Sequence, residues 1–403
     1  MKKNISILRD CYGCGVCTAI CPVNIISLKQ NVDGFYSPII DDDSKCIECG
    51  LCLKTCAFNH KDVLDRNSNE YYAGYSKNPV IRQRCSSGGI GFEIGRHLIN
   101  KGYKACGVRY NVNLERAEHF IADNVDSYAP SIGSKYIPSF SEIAFKAIDT
   151  KEKYLVTGTP CQIDSLRRYI RHFKAEDRFI LMDFFCHGVP SILLWTTYLH
   201  TVEDKIGKAK FVAWRNKTNG WHDSWNINID PANAEDIDWH NSYNINILEK
   251  KHFYQSRWKE GDLFYKFFLG NYCLNKCCYK SCKFKLTASS ADIRIGDLWG
   301  KTYLRDKEGL TAVIAFTNRG KTLLDELSDC KFTPISEEVC IEGQMTQNPS
   351  FPIIYNRVIK ALNKGHSLSY VYKRIIKPYR FFRVPKRIIN FMCYRLGKKA
   401  IFH

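Results

Sequence analysis

The sequence lacks any hydrophobic run long enough to cross a lipid bilayer. No stretch of about 18 uncharged apolar residues occurs, so we expect no membrane-spanning helix. The amino terminus also lacks the apolar segment of a secretory signal peptide, because Cys11 and Cys14 stand where that segment would have to lie. These two absences predict a cytoplasmic chain whose cysteines stay reduced and are free to bind metal.

Acidic residues are missing from the carboxyl-terminal region. No Asp or Glu follows Glu342, whereas thirteen Lys and Arg residues lie between Arg357 and Lys399. Thirteen of the 18 excess positive charges therefore belong to this region, and any argument from charge applies to it alone. We predict a helical, basic tail over residues 351–403.

The tail mixes basic and apolar residues at helical spacing, which allows two interpretations. The helix could lie on an anionic membrane surface, which would place the chain peripherally at the inner membrane. Alternatively, the apolar side chains pack on the main domain and the basic face is solvated. Nucleic acid is not an expected partner, because no nucleic-acid-reading motif accompanies the basic residues.

The sequence has nineteen cysteines, and eight of them form two copies of one motif. The copies are Cys11-x2-Cys14-x2-Cys17-x3-Cys21 and Cys46-x2-Cys49-x2-Cys52-x3-Cys56. In this spacing three thiolates bind one cubane iron–sulfur cluster and the fourth binds the other cluster. Zinc is a poor alternative, because a structural zinc site needs only four ligands in two pairs.

The motif spacing assigns these eight cysteines to two [4Fe–4S] clusters of a bacterial ferredoxin-like domain at residues 1–65. The first cluster takes Cys11, Cys14, Cys17 and Cys56, and the second takes Cys46, Cys49, Cys52 and Cys21. The second motif has Ala57 where ferredoxins usually have proline.

Residues 70–350 alternate short apolar strands with helices. Tyr154–Thr157 and Phe179–Phe185 have the composition of buried strands, and each is followed by a cysteine-containing turn and a helix; the second helix is predicted over Pro190–Lys205. Such alternation predicts a larger α/β domain with parallel strand pairs in a mixed sheet. The whole chain is therefore predicted to be an α+β protein of two domains and a tail.

A second group of cysteines predicts a third [4Fe–4S] cluster. Cys161 and Cys186 follow consecutive predicted strands, whose carboxyl ends share one edge of the sheet. Farther along, four more cysteines crowd the segment Cys273-Leu-Asn-Lys-Cys277-Cys278-Tyr-Lys-Ser-Cys282. We predict the ligand set Cys161, Cys186, Cys278 and Cys282, with Cys277 or Cys273 as alternative members.

The competing interpretation is that several of these cysteines are buried apolar residues, as is common for this residue type. That interpretation is preferred for the isolated cysteines, which are Cys85, Cys106, Cys330, Cys340 and Cys393.

The segment Ser86-Ser87-Gly88-Gly89 stands before a helical pattern. A loop of this kind can present backbone N–H groups and hydroxyls to a pyrophosphate, and the helix dipole adds attraction. A plain turn is the alternative for a lone Gly-Gly pair.

Several motifs in one order resemble the coenzyme F420 hydrogenase/dehydrogenase beta-subunit family, from about residue 71 to 360. They are Ser86–Gly89, Gly133-Ser134-Lys135-Tyr136, Gly158-Thr159-Pro160-Cys161-Gln162, Cys186-His187-Gly188-Val189-Pro190-Ser191 and Gly296-Asp297-Leu298-Trp299-Gly300. The segment from Arg215 to Trp221 also resembles the family. The chain departs from the family at Cys278-x3-Cys282, where relatives commonly have a two-residue gap, and at Cys277, where they usually have serine.

The resemblance implies a flavoprotein with FAD at the sheet edge and an iron–sulfur cluster nearby. Its implied FAD-binding residues are Ser86, Ser87, Gly88, Gly89, Ser134, Lys135, Tyr136 and Asp297. Lys135 would balance phosphate or reduced-flavin charge, and Asp297 would bond the flavin or fix its turn. His187 is a candidate catalytic proton donor, although a structural histidine is the commoner case.

These observations predict a flavin-dependent oxidoreductase that passes electrons between [4Fe–4S] clusters, FAD and a substrate or redox partner such as a ferredoxin. The alternative is a non-catalytic electron-transfer subunit of a larger complex, which family analogy links to surface-polysaccharide biosynthesis. Nothing in the sequence identifies a deazaflavin pocket or a small-molecule substrate.

Overall fold

The computed structural model describes residues 3–63, 69–232 and 254–381. The strands, in chain order, are β1 (Ile26–Gln30), β2 (Tyr36–Ile40), β3 (Glu70–Ser76), β4 (Lys104–Asn111), β5 (Arg116–Ala122), β6 (Ser139–Phe140), β7 (Tyr154–Thr157), β8 (Phe179–Phe184), β9 (Ala209–Ala213), β10 (Asn226–Pro231), β11 (Tyr254–Arg257), β12 (Ile293–Asp297), β13 (Thr311–Ala315) and β14 (Cys330–Pro334).

The α-helices in chain order are α1 (Val16–Ile20), α2 (Leu51–Lys54), α3 (Pro79–Arg84), α4 (Ile90–Asn100), α5 (Val125–Tyr128), α6 (Glu142–Lys146), α7 (Pro160–His172), α8 (Ile192–Ile206), α9 (Leu263–Phe268), α10 (Lys276–Lys280), α11 (Asn318–Asp325), α12 (Glu337–Ile341), α13 (Tyr355–Asn363) and α14 (Leu368–Val371). No helix among the described residues is long and apolar enough to cross a membrane.

The amino-terminal module, residues 3–63, is a small domain in which each cysteine motif surrounds one short helix. The first motif encloses α1 and the second encloses α2. Between them β1 and β2 form an antiparallel hairpin, with Ile26 opposite Ile40. The hairpin lies between the two motifs in the chain and joins them.

A nine-stranded mixed sheet forms the centre of the large domain, in the order β14-β3-β13-β12-β8-β7-β4-β5-β6. Its middle strands β12, β8, β7 and β4 are parallel, and antiparallel pairs flank them. The predicted mixed sheet is therefore confirmed. Because β7 and β8 are parallel neighbours, Cys161 and Cys186 follow strands that end at one edge.

A helical layer and a smaller antiparallel sheet cover the rest of the large domain. The small sheet has the order β11-β10-β9. Its buried Ile227 and Ile229 belong to the same apolar core as residues from α8 and α9. Helix α8 begins at Ile192 with Ser191 as its N-cap, so Pro190 precedes the helix instead of opening it as the sequence predicted.

The beginning of the predicted tail is part of this core. Val358 and Leu362 of α13 and Val371 of α14 are buried in it, as is Ile376. These buried side chains pack the first part of the tail on the main domain, which was one of the two interpretations. Residues 382–403, which hold Cys393 and six of the thirteen basic residues, lie outside the described residues.

The amino-terminal module is seated directly on the large domain. Ser191 donates a hydrogen bond to the carbonyl of Asp33 (2.7 Å), and the Ile192 N–H donates to the carbonyl of Gly34 (2.9 Å). Gly34 has a φ of +79°, and a Cβ there would lie 2.4 Å from the Ser191 hydroxyl oxygen. Only glycine therefore permits this approach of the hairpin to α8.

One fully buried ion pair holds the sheet beside its cysteine-bearing edge. Arg294 donates to both carboxylate oxygens of Asp183, at 2.7 Å each. The same guanidinium donates to the carbonyls of Phe284 and Ala288, at 3.2 and 3.1 Å. This one side chain thus joins β12, β8 and the loop that follows Cys282.

Replacing Arg294 with methionine should lower the free energy of unfolding by about 3–5 kcal/mol, because Asp183 would be left as an unpaired buried charge. Anaerobic urea denaturation, followed by tryptophan fluorescence, measures the change. Lys321→Met is the matched control, since it breaks the half-exposed pair with Glu70 and should leave the midpoint almost unchanged. Equal midpoints for the two variants would contradict this account of the buried pair.

Candidate functional site

A cavity of about 680 Å³ opens at the edge of the sheet where the parallel strands end. The large domain contributes the motif loop before β6 and the motif loops after β7, β8 and β12, together with the Ser86–Gly89 loop. The amino-terminal module contributes Tyr12, Gly13, Phe35 and Tyr36. Both domains therefore wall one cavity, which is lined by His187, by Cys186 and by all of the predicted FAD-binding residues except Gly88.

The Ser86–Gly89 loop is fixed on both sides before it enters α4. The Ser86 hydroxyl oxygen accepts the Ser134 N–H (2.9 Å), and the Ser87 hydroxyl donates to the carbonyl of Leu310. A Cβ on Gly88 would lie 2.3 Å from the carbonyl oxygen of Gly74, so no other residue fits there. The two hydroxyls are thus already bonded within the protein, and the N-terminus of α4 faces the cavity.

Lys135 lines the cavity, but its ammonium group is bonded to backbone. Its Nζ donates to the carbonyls of Pro130, Ser131 and Ile132 at 2.9–3.0 Å. Burial lowers the pKa of Lys135 to about 7. The side chain therefore closes the turn that precedes Ser134, in addition to any charge that it offers a ligand.

Arg215 and Asp297 form an ion pair beneath the cavity. The guanidinium donates to both Asp297 carboxylate oxygens, at 2.9 and 3.2 Å, and to the Tyr136 hydroxyl at 3.0 Å. It also lies over the rings of Trp225 and Trp299, 4.9 and 5.1 Å from their centres. Burial opposes its charge, but the Asp297 carboxylate holds the pKa of Arg215 above its usual value.

The Arg215 pair explains why two predicted residues lie together, since Tyr136 and Asp297 both bond to one guanidinium. Sequence reasoning did not assign Arg215 a role at the site. The sequence signal that could have indicated a role for Arg215 was its position at the start of the family-like segment from Arg215 to Trp221. Trp221, at the end of that segment, also donates a hydrogen bond to Asp297 at 2.9 Å.

His187 follows Cys186 at the cavity wall. Burial lowers the pKa of His187 to about 4, so the imidazole is neutral at pH 7. Its ring packs 4.8 Å from the ring of Phe268. The buried Nε2 atom has no hydrogen-bond partner within the described part of the chain.

The eight cysteines of the amino-terminal module differ in burial. Cys14, Cys17, Cys52 and Cys56 are buried, whereas Cys49 is exposed. Burial, followed by repulsion from the Cys14 thiolate, raises the pKa of Cys56 to about 12. Deprotonated thiols crowded in this way require a positively charged partner, so the donor set fits iron–sulfur clusters.

Two sets of four thiols follow from the motif spacing. The inner set, Cys11, Cys14, Cys17 and Cys56, faces the large domain, where the Ser165 hydroxyl oxygen lies 3.4 Å from the Cys14 sulfur. The outer set, Cys21, Cys46, Cys49 and Cys52, reaches the protein surface at Cys49. Asn4 Nδ2 donates to the Cys46 sulfur of the outer set at 3.5 Å.

The third set, Cys161, Cys186, Cys278 and Cys282, comes from three parts of the large domain. Burial and then repulsion from the Cys186 thiolate raise the pKa of Cys278. Burial raises the pKa of Cys186 to about 11, with Cys282 adding repulsion. Neighbouring thiolates thus contribute to the raised pKa values of Cys186 and Cys278.

The alternative ligands Cys273 and Cys277 point elsewhere. The Cys277 sulfur lies 3.4 Å from the carbonyl oxygen of Cys11, against the amino-terminal module. Cys273 is fully buried, and burial raises its pKa to about 12 with no neighbouring thiolate contributing.

Tyr12 lies between the inner and third sets. It follows Cys11 in the chain, and its hydroxyl donates to the carbonyl of Ser281, next to Cys282. Burial raises the pKa of Tyr12, and repulsion from Cys161 and Cys282 raises it further. The inner and third sets are thus neighbours across the contact between the domains.

Lys285 is a second residue that sequence reasoning missed. Its Nζ donates to the carbonyls of Cys186 and His187, at 2.8 and 3.2 Å, and so brings a positive charge to the third set. Among the cysteines interpreted as isolated, Cys106, Cys330 and Cys340 are buried apolar residues, whereas Cys85 is buried at the cavity wall.

Comparison with known proteins agrees with this geometry. Residues 151–338 match the family described as the C terminus of the beta subunit of coenzyme F420 hydrogenase/dehydrogenase, and residues 10–60 match the 4Fe–4S dicluster domain. The chain thus combines a region that matches the 4Fe–4S dicluster domain with a region similar to the C terminus of the coenzyme F420 hydrogenase/dehydrogenase beta subunit. The family resemblance and the iron–sulfur character of the amino-terminal module are confirmed.

Two methanogen proteins illustrate the relationship. The F subunit of F(420)H(2) dehydrogenase from Methanosarcina mazei is 25% identical over 189 residues, covering 44% of this chain and 53% of the relative. Coenzyme F420-dependent sulfite reductase of Methanocaldococcus jannaschii is 24% identical over 164 residues, covering 39% of this chain and 25% of the relative. The chain thus spans about half the length of the first relative and a quarter of the second.

A solved chain from the F420-reducing [NiFe] hydrogenase complex of Methanosarcina barkeri superposes with a TM-score of 0.45 and 15% identity. The match covers 75% of this chain and 89% of the hydrogenase chain.

Replacing Cys278 with serine should remove about four of about twelve irons per chain, because one ligand of the third set is lost. Iron and acid-labile sulfide are measured after anaerobic purification. Cys277→Ser is the matched control and should keep all of the iron, since that sulfur faces the Cys11 carbonyl. The ligand assignment is wrong if the neighbouring variant loses the iron instead.

Proposed function

We propose that the chain is an iron–sulfur flavoprotein oxidoreductase, which passes electrons between its [4Fe–4S] clusters, FAD and a substrate or partner. The observation that carries this proposal is the shared cavity. Its walls include the predicted flavin motifs, Cys186 of the third set, and residues beside the inner set of the amino-terminal module. A group bound in the cavity would therefore be in contact with both domains.

The residues at the cavity fit a flavin dinucleotide. The N-terminus of α4 offers an attractive dipole to a pyrophosphate, and Gly89 and Gly91 line the cavity at that end. Aromatic rings of Tyr136, Trp225 and Trp299 provide flat apolar surface. Bound FAD would supply the exchange between one-electron and two-electron transfer.

The protein groups around the cavity have complementary tasks. The Arg215–Asp297 pair fixes Tyr136 and Trp221, and so it determines the shape of the aromatic wall. His187 presents a neutral imidazole whose Nε2 is not committed to another protein group among the described residues, so it can hold or donate one proton. Mostly apolar walls exclude water from the reacting groups.

The three cysteine sets have the order that such a function requires. Cys49 brings the outer set to the surface, where a redox partner can approach. The inner set interacts with the third set, since repulsion from Cys14 contributes to the raised pKa of Cys161. The third set reaches the cavity through Cys186.

A second candidate function is that of an electron-transfer subunit without its own substrate. The exposed Cys49 supports it, because a surface cluster suits exchange with a partner protein. One relative is named a dehydrogenase subunit, which is consistent with such a role.

Anaerobically purified chain should contain about one FAD beside its iron, and Gly91→Leu should reduce FAD affinity by at least about tenfold. Gly91 lines the cavity, and a side chain there meets only the tip of Ile295, at 2.6 Å, and that of Met182. Flavin is measured by fluorescence after release, and affinity by titration of the flavin-free chain.

Asn100→Leu at the exposed end of α4 is the matched control and should retain flavin. Iron content should stay constant in both variants. Absence of FAD from carefully prepared wild-type chain would overturn the flavoprotein proposal.

Turnover by the isolated chain separates the two candidate functions. Reduced coenzyme F420 is the first probe, because the relatives are named for it. Its oxidation, coupled to reduction of a viologen dye, supports an enzyme with its own two-electron site. Clusters that accept electrons from dithionite without any turnover of reduced F420 would favour the electron-transfer subunit.

A further inference from the structure

Helix α7 carries groups that face two different cysteine sets. Cys161 lies in its first turn and belongs to the third set. Ser165 lies one turn later, is fully buried, and faces the amino-terminal module. Its hydroxyl oxygen is 3.4 Å from the Cys14 sulfur and 2.9 Å from the backbone nitrogen of Ala57.

The direction of these two contacts follows from their chemistry. The Ala57 N–H is a donor, so it occupies a lone pair of the Ser165 oxygen and leaves the hydroxyl hydrogen free. A cysteine bound to iron is a thiolate and has no hydrogen to give. Once Cys14 is a ligand, Ser165 must therefore donate its hydrogen to the Cys14 sulfur.

The donor belongs to the other domain, which distinguishes it from the contacts within the module. Cys11 accepts the Gly13 N–H at 3.2 Å, and Cys46 accepts from Asn4 at 3.5 Å, so both donors belong to residues 3–63. Ser165 is 151 positions away from Cys14 along the chain. Its bond exists only while the module is seated on α7.

We propose that Ser165 is a positioning residue that sets the reduction potential of the inner cluster from across the domain contact. A hydrogen bond to a ligand sulfur stabilises the more negative, reduced form of a cluster and raises its potential. The bond therefore favours electrons on the inner cluster, next to the third set. The inference depends on Cys14 as a ligand of the dicluster domain, and not on FAD or on the third cluster.

A purely structural role for Ser165 makes a different prediction. Loss of the hydroxyl would leave the buried Ala57 N–H unpaired and would lower stability, but it would not change a cluster potential selectively. The reduction potential of the inner cluster thus separates the two roles.

The test is an anaerobic redox titration of the full chain, followed by electron paramagnetic resonance of the reduced clusters. Ser165→Ala should shift the midpoint of the inner cluster to a more negative potential and leave the outer cluster unchanged. Ser76→Ala is the matched control: it removes another buried hydroxyl, which bonds to Glu93, and should shift neither midpoint. Asn4→Ala should shift only the outer cluster and so identifies which signal belongs to which cluster.

A second pair of variants guards against poor folding of Ser165→Ala. Ser165→Val and Ser165→Thr have the same shape and differ in the hydroxyl group, so a comparison of the two separates the hydrogen bond to Cys14 from any change in packing.

The valine variant should show the same negative shift, whereas Ser165→Thr should keep the wild-type midpoint. An unchanged inner midpoint in a fully iron-loaded valine variant overturns the proposal. Flavin content is assayed separately, so failure of the flavoprotein proposal would leave this result unaffected.

Discussion

Crowding of buried thiols at the contact between the two domains is the constraint on which the rest of the structure depends. Cys14, Cys17 and Cys56 are buried on one side of the contact, and Cys161 and Cys278 lie on the other. Thiolates in such surroundings repel each other and lose hydration, as their raised pKa values show. Folding and metal binding are therefore linked, because bound iron supplies the positive charge that the thiolates lack.

The domain contact contains polar anchors that fix this arrangement. Asp164 on α7 is fully buried and bonds to Arg168, Ser290 and Lys283. Arg168 and Lys283 also bond to the Asp62 carbonyl, at the end of the amino-terminal module. Because α7 carries Cys161 as well, the helix that seats the module is the helix that presents the third set.

The features that the sequence predicted well are those encoded locally. The duplicated cysteine spacing predicted the dicluster module, and the strand–turn–helix pattern predicted β7 with α7 and β8 with α8. The residues that escaped prediction act through distant partners. Arg215 and Asp297 are 82 positions apart, and Lys285 and Cys186 are 99 positions apart. Such pairs have no short-range signal, since only the fold brings them together.

The structure modifies two expectations from the sequence, one about Lys135 and one about the basic tail. Lys135 lines the cavity, yet its ammonium group donates to three carbonyls of the turn before it. Buried carbonyls need partners, and a lysine that supplies three bonds is retained for that purpose as much as for charge. The basic tail was predicted from composition, but the apolar stripe of α13 determines that its first part packs in the core.

The shared cavity also constrains how the amino-terminal module can behave. Tyr12, Phe35 and Tyr36 form part of its wall, so the module completes the cavity in addition to carrying clusters. A ligand that contacts these residues binds more tightly when the amino-terminal module rests on the large domain than when it does not. The bound ligand must therefore stabilise that arrangement by the same difference in free energy. Occupancy of the cavity and the Ser165–Cys14 contact are therefore coupled, because both require the module to rest on α7.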